Sequence, residues 1–109
     1  MEPILNVFIS QPMNGLSDEE ILKKREEIIK KVEKRYPNKS IEIIDSFFQG
    51  APHDASPVWF LGKSIQLLSQ ADLLVMGEGW EDARGCKLEY EIAAAYGIPI
   101  FTPYADITK

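Results

Sequence analysis

The sequence predicts one three-layer α/β domain over residues 1–109, with a four- or five-stranded parallel sheet and helices on both faces. Three observations lead there. Short runs rich in Ile, Val and Leu alternate with longer segments of helical periodicity, which is the pattern of strands joined by crossover helices. The runs at 4–9 and 73–76 are nearly continuous in apolar residues, as in strands covered on both faces. No internal repeat, low-complexity tract or Gly/Ser/Pro-rich linker divides the chain.

The elements follow in order. Ile4 to Ile9 reads as a largely buried strand, closed by the turn-forming residues Ser10-Gln11-Pro12-Met13-Asn14-Gly15. Ser17 followed by Glu20 forms a capping box that starts a helix over 18–36. There Ile21, Leu22, Arg25, Ile28, Ile29, Val32 and Tyr36 recur at three and four, leaving the other lysines and glutamates on a solvated face. Pro37-Asn38 ends it, and residues 41–44 supply a second strand. Phe47 to Pro57 is irregular and long for a connection, so it reads either as a lid or specificity wall or as a partly ordered crossover. A helix over 58–69 offers Trp59, Leu61, Ile65 and Leu68 for burial; a strand over 72–76, a helix over 86–96 and a strand over 98–102 complete the chain. The expected sheet order is second, first, third, fourth strand.

Composition bounds the function. Twelve basic against seventeen acidic side chains give a formal charge of -5, which argues against a nucleic-acid or membrane surface. A small anion remains compatible, because a helix N-terminus holds one without a basic surface. A single cysteine, Cys86, rules out an internal disulfide framework and suits a reducing compartment. With neither a secretory leader nor an apolar run of about 18 residues, the expected location is cytoplasmic. No GxGxxG follows the first strand and no phosphate loop is present. His53 and Cys86 do not make a metal set, so neither metal nor cofactor is expected.

Ligands of parallel α/β sheets lie beyond the carboxyl ends of the strands, which directs attention to the loop from Gly77 to Gly85 and the helix after it. Glu78, Glu81, Asp82 and Glu89 concentrate there. Glu89 sits early in the helix, where the dipole favours a carboxylate; from pattern alone the plainer reading of Glu89 and Glu91 is as ordinary acids near a helix start. Asp72 either caps the preceding helix or keeps the sheet edge wet. Trp80 either stacks on a planar ligand or anchors its loop.

Taken together, ISQPMNG at the end of the first strand, Ala71-Asp72 before an apolar strand, Gly79-Trp80, RGCKLE and an alanine-rich helix leading to GIPI resemble the nucleoside 2-deoxyribosyltransferase-like superfamily, especially its small phage and bacterial branch. The similarity covers 8–15 and 71–100 and leaves 37–57 unmatched. It implies a Rossmann-like domain, commonly a homodimer or larger homo-oligomer, that breaks or exchanges the N-glycosidic bond of a 2-deoxyribonucleoside or its 5-monophosphate. The family nucleophile is a glutamate four residues after a glycine, a spacing that falls on Gly85 and Glu89. By the same resemblance Asp72 positions the sugar or moves a proton, and Ser10, Gln11, Pro12 and Met13 hold base and sugar. The phosphate falls at Asp82, Ala83, Arg84 and Gly85.

Protonation of a departing purine would fall to Asp72 or Glu78, given a raised pKa. Arg84 and the amides after Gly85 suit a phosphate, or Arg84 is a plain surface residue. Where active transferases often carry Asp-Gly, this chain has Gly77-Glu78-Gly79-Trp80, and Glu91 replaces a small residue two after the nucleophile. The competing functions are non-catalytic binding of a nucleotide or nucleotide-derived signal in the same cleft, and an interaction protein whose helices serve only a dimer. Self-association is expected from the small core and from Trp59, Phe60, Leu61 and Tyr90.

Overall fold

A computed structural model describes residues 3–45 and 56–104. The elements are β1 (Ile4–Ser10), α1 (Asp18–Arg35), β2 (Ser40–Ile43), α2 (Pro57–Leu68), β3 (Leu73–Met76), a 3-10 turn (Trp80–Asp82), α3 (Arg84–Tyr96) and β4 (Ile100–Phe101). The four strands are all parallel, in the order β2-β1-β3-β4. This is a Rossmann-like three-layer domain with the sheet order the sequence predicts. The long segment between β2 and α2, with His53 and the lid reading, falls largely on 46–55 and lies outside the described residues.

Local chemistry explains the helix ends. Ser17 and Glu20 form the reciprocal capping box of α1, and the Ser56 hydroxyl accepts from the Trp59 amide while Pro57 fills the first turn of α2. Gly97 ends α3 at a φ of 76°, in the left-handed region. Two boundaries differ from the sequence reading. Helix α3 begins at Arg84 rather than at 86, because Ala83 is extended and already serves as its N-cap. Strand β4 pairs over only Ile100 and Phe101, opposite Leu74 and Val75; Pro99 has no amide to give, although its carbonyl accepts from Leu74.

Strand alternation divides the core. Val7, Ile9, Leu73 and Val75 pack on Ile28 and Val32 of α1. Phe8, Leu74 and Met76 face Leu68 of α2 and Cys86 and Ala93 of α3. The same alternation continues past Ile9, sending Ser10 toward α2 and α3 and Gln11 toward α1. Among the described residues, no helix is long and apolar enough to cross a membrane.

Candidate active site

In this strand order the connection from β1 runs to one side of the sheet and that from β3 to the other, so a crevice opens between their carboxyl ends. A cleft of about 1050 Å³ lies there. Ser10 to Asn14 after β1, Pro57, Phe60, Leu61 and Ser64 of α2, and residues 82–86 and Glu89 at the start of α3 line it.

Glu89 is 7% exposed. Its Oε1 accepts a hydrogen bond of 2.6 Å from the Ser10 hydroxyl. Burial pushes its carboxyl above the usual range, and hydrogen bonding from Ser10 and Ser64 opposes that rise. Glu91, two positions further on, is exposed, as expected from a rotation of roughly 200° over two helical residues. Cys86 lies one turn before Glu89 and is buried. Burial pushes its thiol up to about 11, opposed by Ser10 and reinforced by the charge of Glu89, which holds it as the protonated thiol at neutral pH.

The start of α3 has a distinct chemistry. Its N-cap, Ala83, offers no side-chain acceptor, and no acid occupies the first turn. The amides of Arg84, Gly85 and Cys86 therefore have no partner inside the helix, and all three residues line the cleft beside Asp82.

Several expected site residues lie elsewhere. Asp72 is at the amino end of β3, where its Oδ2 accepts from the amide of Asn6 at 2.9 Å and its Nδ2 at 3.1 Å. This is the end of the sheet opposite Glu89, so the carboxylate ties two strand starts together and does not reach the cleft. Glu78 is 71% exposed with Lys24 Nζ at 3.9 Å, on the α1 side beside Tyr104 and outside the cleft. Trp80 stacks on Tyr90 at 4.7 Å and 14° and packs against the core, so it anchors its loop, and it is not among the residues that line the cleft.

Gln11 lines the cleft, but its side chain turns away: Nε2 donates to the Ile21 carbonyl and Oε1 accepts from Arg25 Nη1. Arg25 also donates to the Ile44 carbonyl and so joins the exits of β1 and β2 to α1. Burial lowers its pKa and the charge of Asp45 opposes this; as a guanidinium it stays charged. Ser10, Pro12, Met13, Asp82, Arg84 and Gly85 line the same cleft as Glu89, and of these Ser10 is hydrogen-bonded to it. Sequence reasoning did not place Ser64, Phe60, Leu61 and Cys86 at the site. The alternation that puts Ser10 on the same face as Phe8 was the available signal for which helices it meets.

Residues 5–102 match the family model described as Domain of unknown function (DUF4406). The chain belongs to that family. No curated protein matches it. The DUF4406 domain is similar to a conserved protein from Enterococcus faecalis V583, known from a crystal structure, with a TM-score of 0.65 at 16% sequence identity. The match covers 91% of this chain and 62% of that one, so the DUF4406 domain spans less than two thirds of its neighbour, and at that identity the likeness concerns the fold alone. Among the described residues of the DUF4406 domain, no group of three or more His, Cys, Asp or Glu side chains is arranged to hold a metal ion.

Proposed function

We propose that this domain cleaves or transfers the N-glycosidic bond of a nucleoside, deoxynucleoside or 5-monophosphate through a covalent glutamyl-sugar intermediate on Glu89. The observation that carries the reading is a buried carboxylate on a rigid helix, opening on a cleft at the sheet's switch point and oriented by Ser10 at 2.6 Å. In this reading Glu89 attacks the anomeric carbon, the base departs, and water or a second base resolves the glycosyl ester with net retention. Ser10 stabilises the ionised nucleophile, and Arg84 with the first amides of α3 receives a 5-phosphate. Phe60, Leu61 and Met13 supply apolar walls.

The placement of Asp72 and Glu78 outside the cleft favours a second reading, in which the same cleft binds a nucleotide or nucleotide-derived signal without turnover. One incubation separates the two. The protein is mixed with deoxynucleosides and deoxynucleotides, with and without a free second base, and products are followed by chromatography. Free base supports the hydrolase, an exchanged nucleoside supports the transferase, and saturable binding without either product supports the binder.

We also assign the domain to the cytoplasm, where a reduced Cys86 is at home, and to a homo-oligomer. Of the residues expected to drive association, Tyr90 stacks on Trp80 within the chain and Phe60 and Leu61 line the cleft; the most exposed large apolar side chains among the described residues are Tyr96 and Val58, at 81% and 75%. Sedimentation giving only a monomer across the micromolar range would refute this.

A further inference from the structure

Glu89 is more than nine-tenths buried, and the groups that hold it are hydroxyls. Among the described residues, the other ionisable or charged groups lining the cleft are Asp82, Arg84 and Cys86. Among the described residues no cation lies at ion-pair distance from the Glu89 carboxylate, Lys24 pairing instead with Glu78, and the Glu89 carboxylate accepts a hydrogen bond from Ser10. Buried charges in proteins are ordinarily paired, and here the unpaired side faces open space large enough for a ligand.

We propose that the cleft takes a nucleoside or nucleotide whose base is already a cation, such as a pyridinium or N7-alkylpurinium glycoside, the ligand supplying the counter-charge that Glu89 lacks. This rests on the N-glycoside reading of the cleft and names its substrate class. Two further observations agree with it. Among the described residues lining the cleft the acids are Glu89 and Asp82 and the base is Arg84, with the free amides of α3 beside Arg84, a pairing of charges that suits a zwitterionic occupant with a cationic base and an anionic phosphate. The acids expected to protonate a departing neutral base, Asp72 and Glu78, are held by Asn6 and beside Lys24.

A cationic base needs no proton to leave. As Glu89 Oε bonds to the anomeric carbon, the carbon–nitrogen bond breaks and its electron pair returns to the ring nitrogen, cancelling the positive charge. The neutral base departs and a glycosyl ester remains. Water then adds to the anomeric carbon, the ester bond breaks, the Glu89 carboxylate is regenerated and one proton is released to solvent. The sum is cationic glycoside plus water giving neutral base, free sugar and a proton. The same cation, seated near Glu89 before attack, favours the ionised nucleophile against the effect of burial.

The test uses a matched pair of probes. 1-Methylnicotinamide is a cation, and 3-methylbenzamide is its neutral isostere. Calorimetric titration of the full chain at pH 8 should give the cation at least about tenfold tighter binding, a modest demand on one charge pair in a partly buried site. In Glu89→Gln the preference should shrink to less than about threefold. Below the pH at which Glu89 ionises, binding of the cation should release a proton, seen as a dependence on buffer ionisation enthalpy, whereas the neutral probe should release none. This second measurement needs no variant. Equal affinity of the two probes, failure of the cation to bind, or a preference that survives in Glu89→Gln overturns the proposal. Nicotinamide riboside and neutral deoxynucleosides are then compared for base release. Glu89-dependent cation binding without cleavage of either keeps the ligand class and removes the glycosidase reading. Cleavage of neutral nucleosides without any cation preference does the reverse.

Discussion

Ser10 and Glu89 lie 79 positions apart in the chain and share a hydrogen bond of 2.6 Å between Oγ and Oε1. The hydroxyl donates, so the bond favours the ionised carboxylate and opposes the rise that burial causes. In Ser10→Ala only burial and Ser64 would remain. The Glu89 carboxyl should then titrate at higher pH than in the parent, measured by carbon NMR of its side chain. If the domain turns over nucleosides, the acid limb of its pH profile should move upward with it. An unchanged titration would mean that water replaces the hydroxyl without loss.

Glu89→Gln keeps the shape of the side chain and its contact with Ser10 while removing the nucleophilic charge. Turnover should fall on the order of a thousandfold or more, as when a nucleophile is removed, with ligand binding still measurable. Glu91→Gln, at an exposed position, should retain most activity. Full activity in the Glu89 variant would sink the assignment.

The same variant carries a stability prediction with a definite sign. The folded pKa of Glu89 is raised above its unfolded value by burial, so its favourable contribution is complete below the unfolded pKa, at about 4.3, and is lost as pH rises through the folded value. Glu89→Gln does not undergo that loss. The variant should therefore gain stability relative to the parent as pH rises from acid to neutral, read from thermal melts at several pH values. A difference independent of pH would contradict a raised carboxyl.

Gly77 sits where β3 leaves the sheet, and a Cβ there would lie 2.9 Å from Gln11 Cβ and 3.2 Å from Ile28 Cδ1. Gln11 is fixed by Arg25 and Ile21, so it has little room to yield. Gly77→Ala should destabilise the fold by about 1–3 kcal/mol, the usual cost of overpacking. Chemical denaturation with an unchanged midpoint would show that the β1 exit relaxes more freely than its hydrogen bonds suggest.

Arg84 lines the cleft at the uncapped start of α3. Arg84→Ala should weaken binding of a deoxynucleoside monophosphate by roughly 1.5–3 kcal/mol, the range for a charged hydrogen bond, and leave the corresponding nucleoside nearly unaffected. Equal weakening of both ligands would place the guanidinium elsewhere in the site or make it a support for the loop.

By itself the sequence determined the α/β class, the strand order and the start of α1, because these depend on signals local in the chain, whereas α3 starts two residues earlier than its periodicity suggests. The apolar runs at 4–9 and 73–76, the capping box of Ser17 and Glu20, and Gly97 at the end of α3 each act within a few residues. It also brought Glu89 to the carboxyl side of the sheet through the strand–loop–helix order alone. Tertiary structure decided which polar residues meet. Asp72 and Glu89 both flank the third strand and its helix in sequence, yet one stands at the strand's amino end on Asn6 and the other at the cleft on Ser10. Trp80 faces Tyr90 instead of a ligand because the 3-10 turn folds it back on α3. The partners of Glu89, Ser10 on β1 and Ser64 on α2, come from elements far apart in the chain, and only packing of α2 and α3 on one face of β1 brings their hydroxyls to the carboxylate.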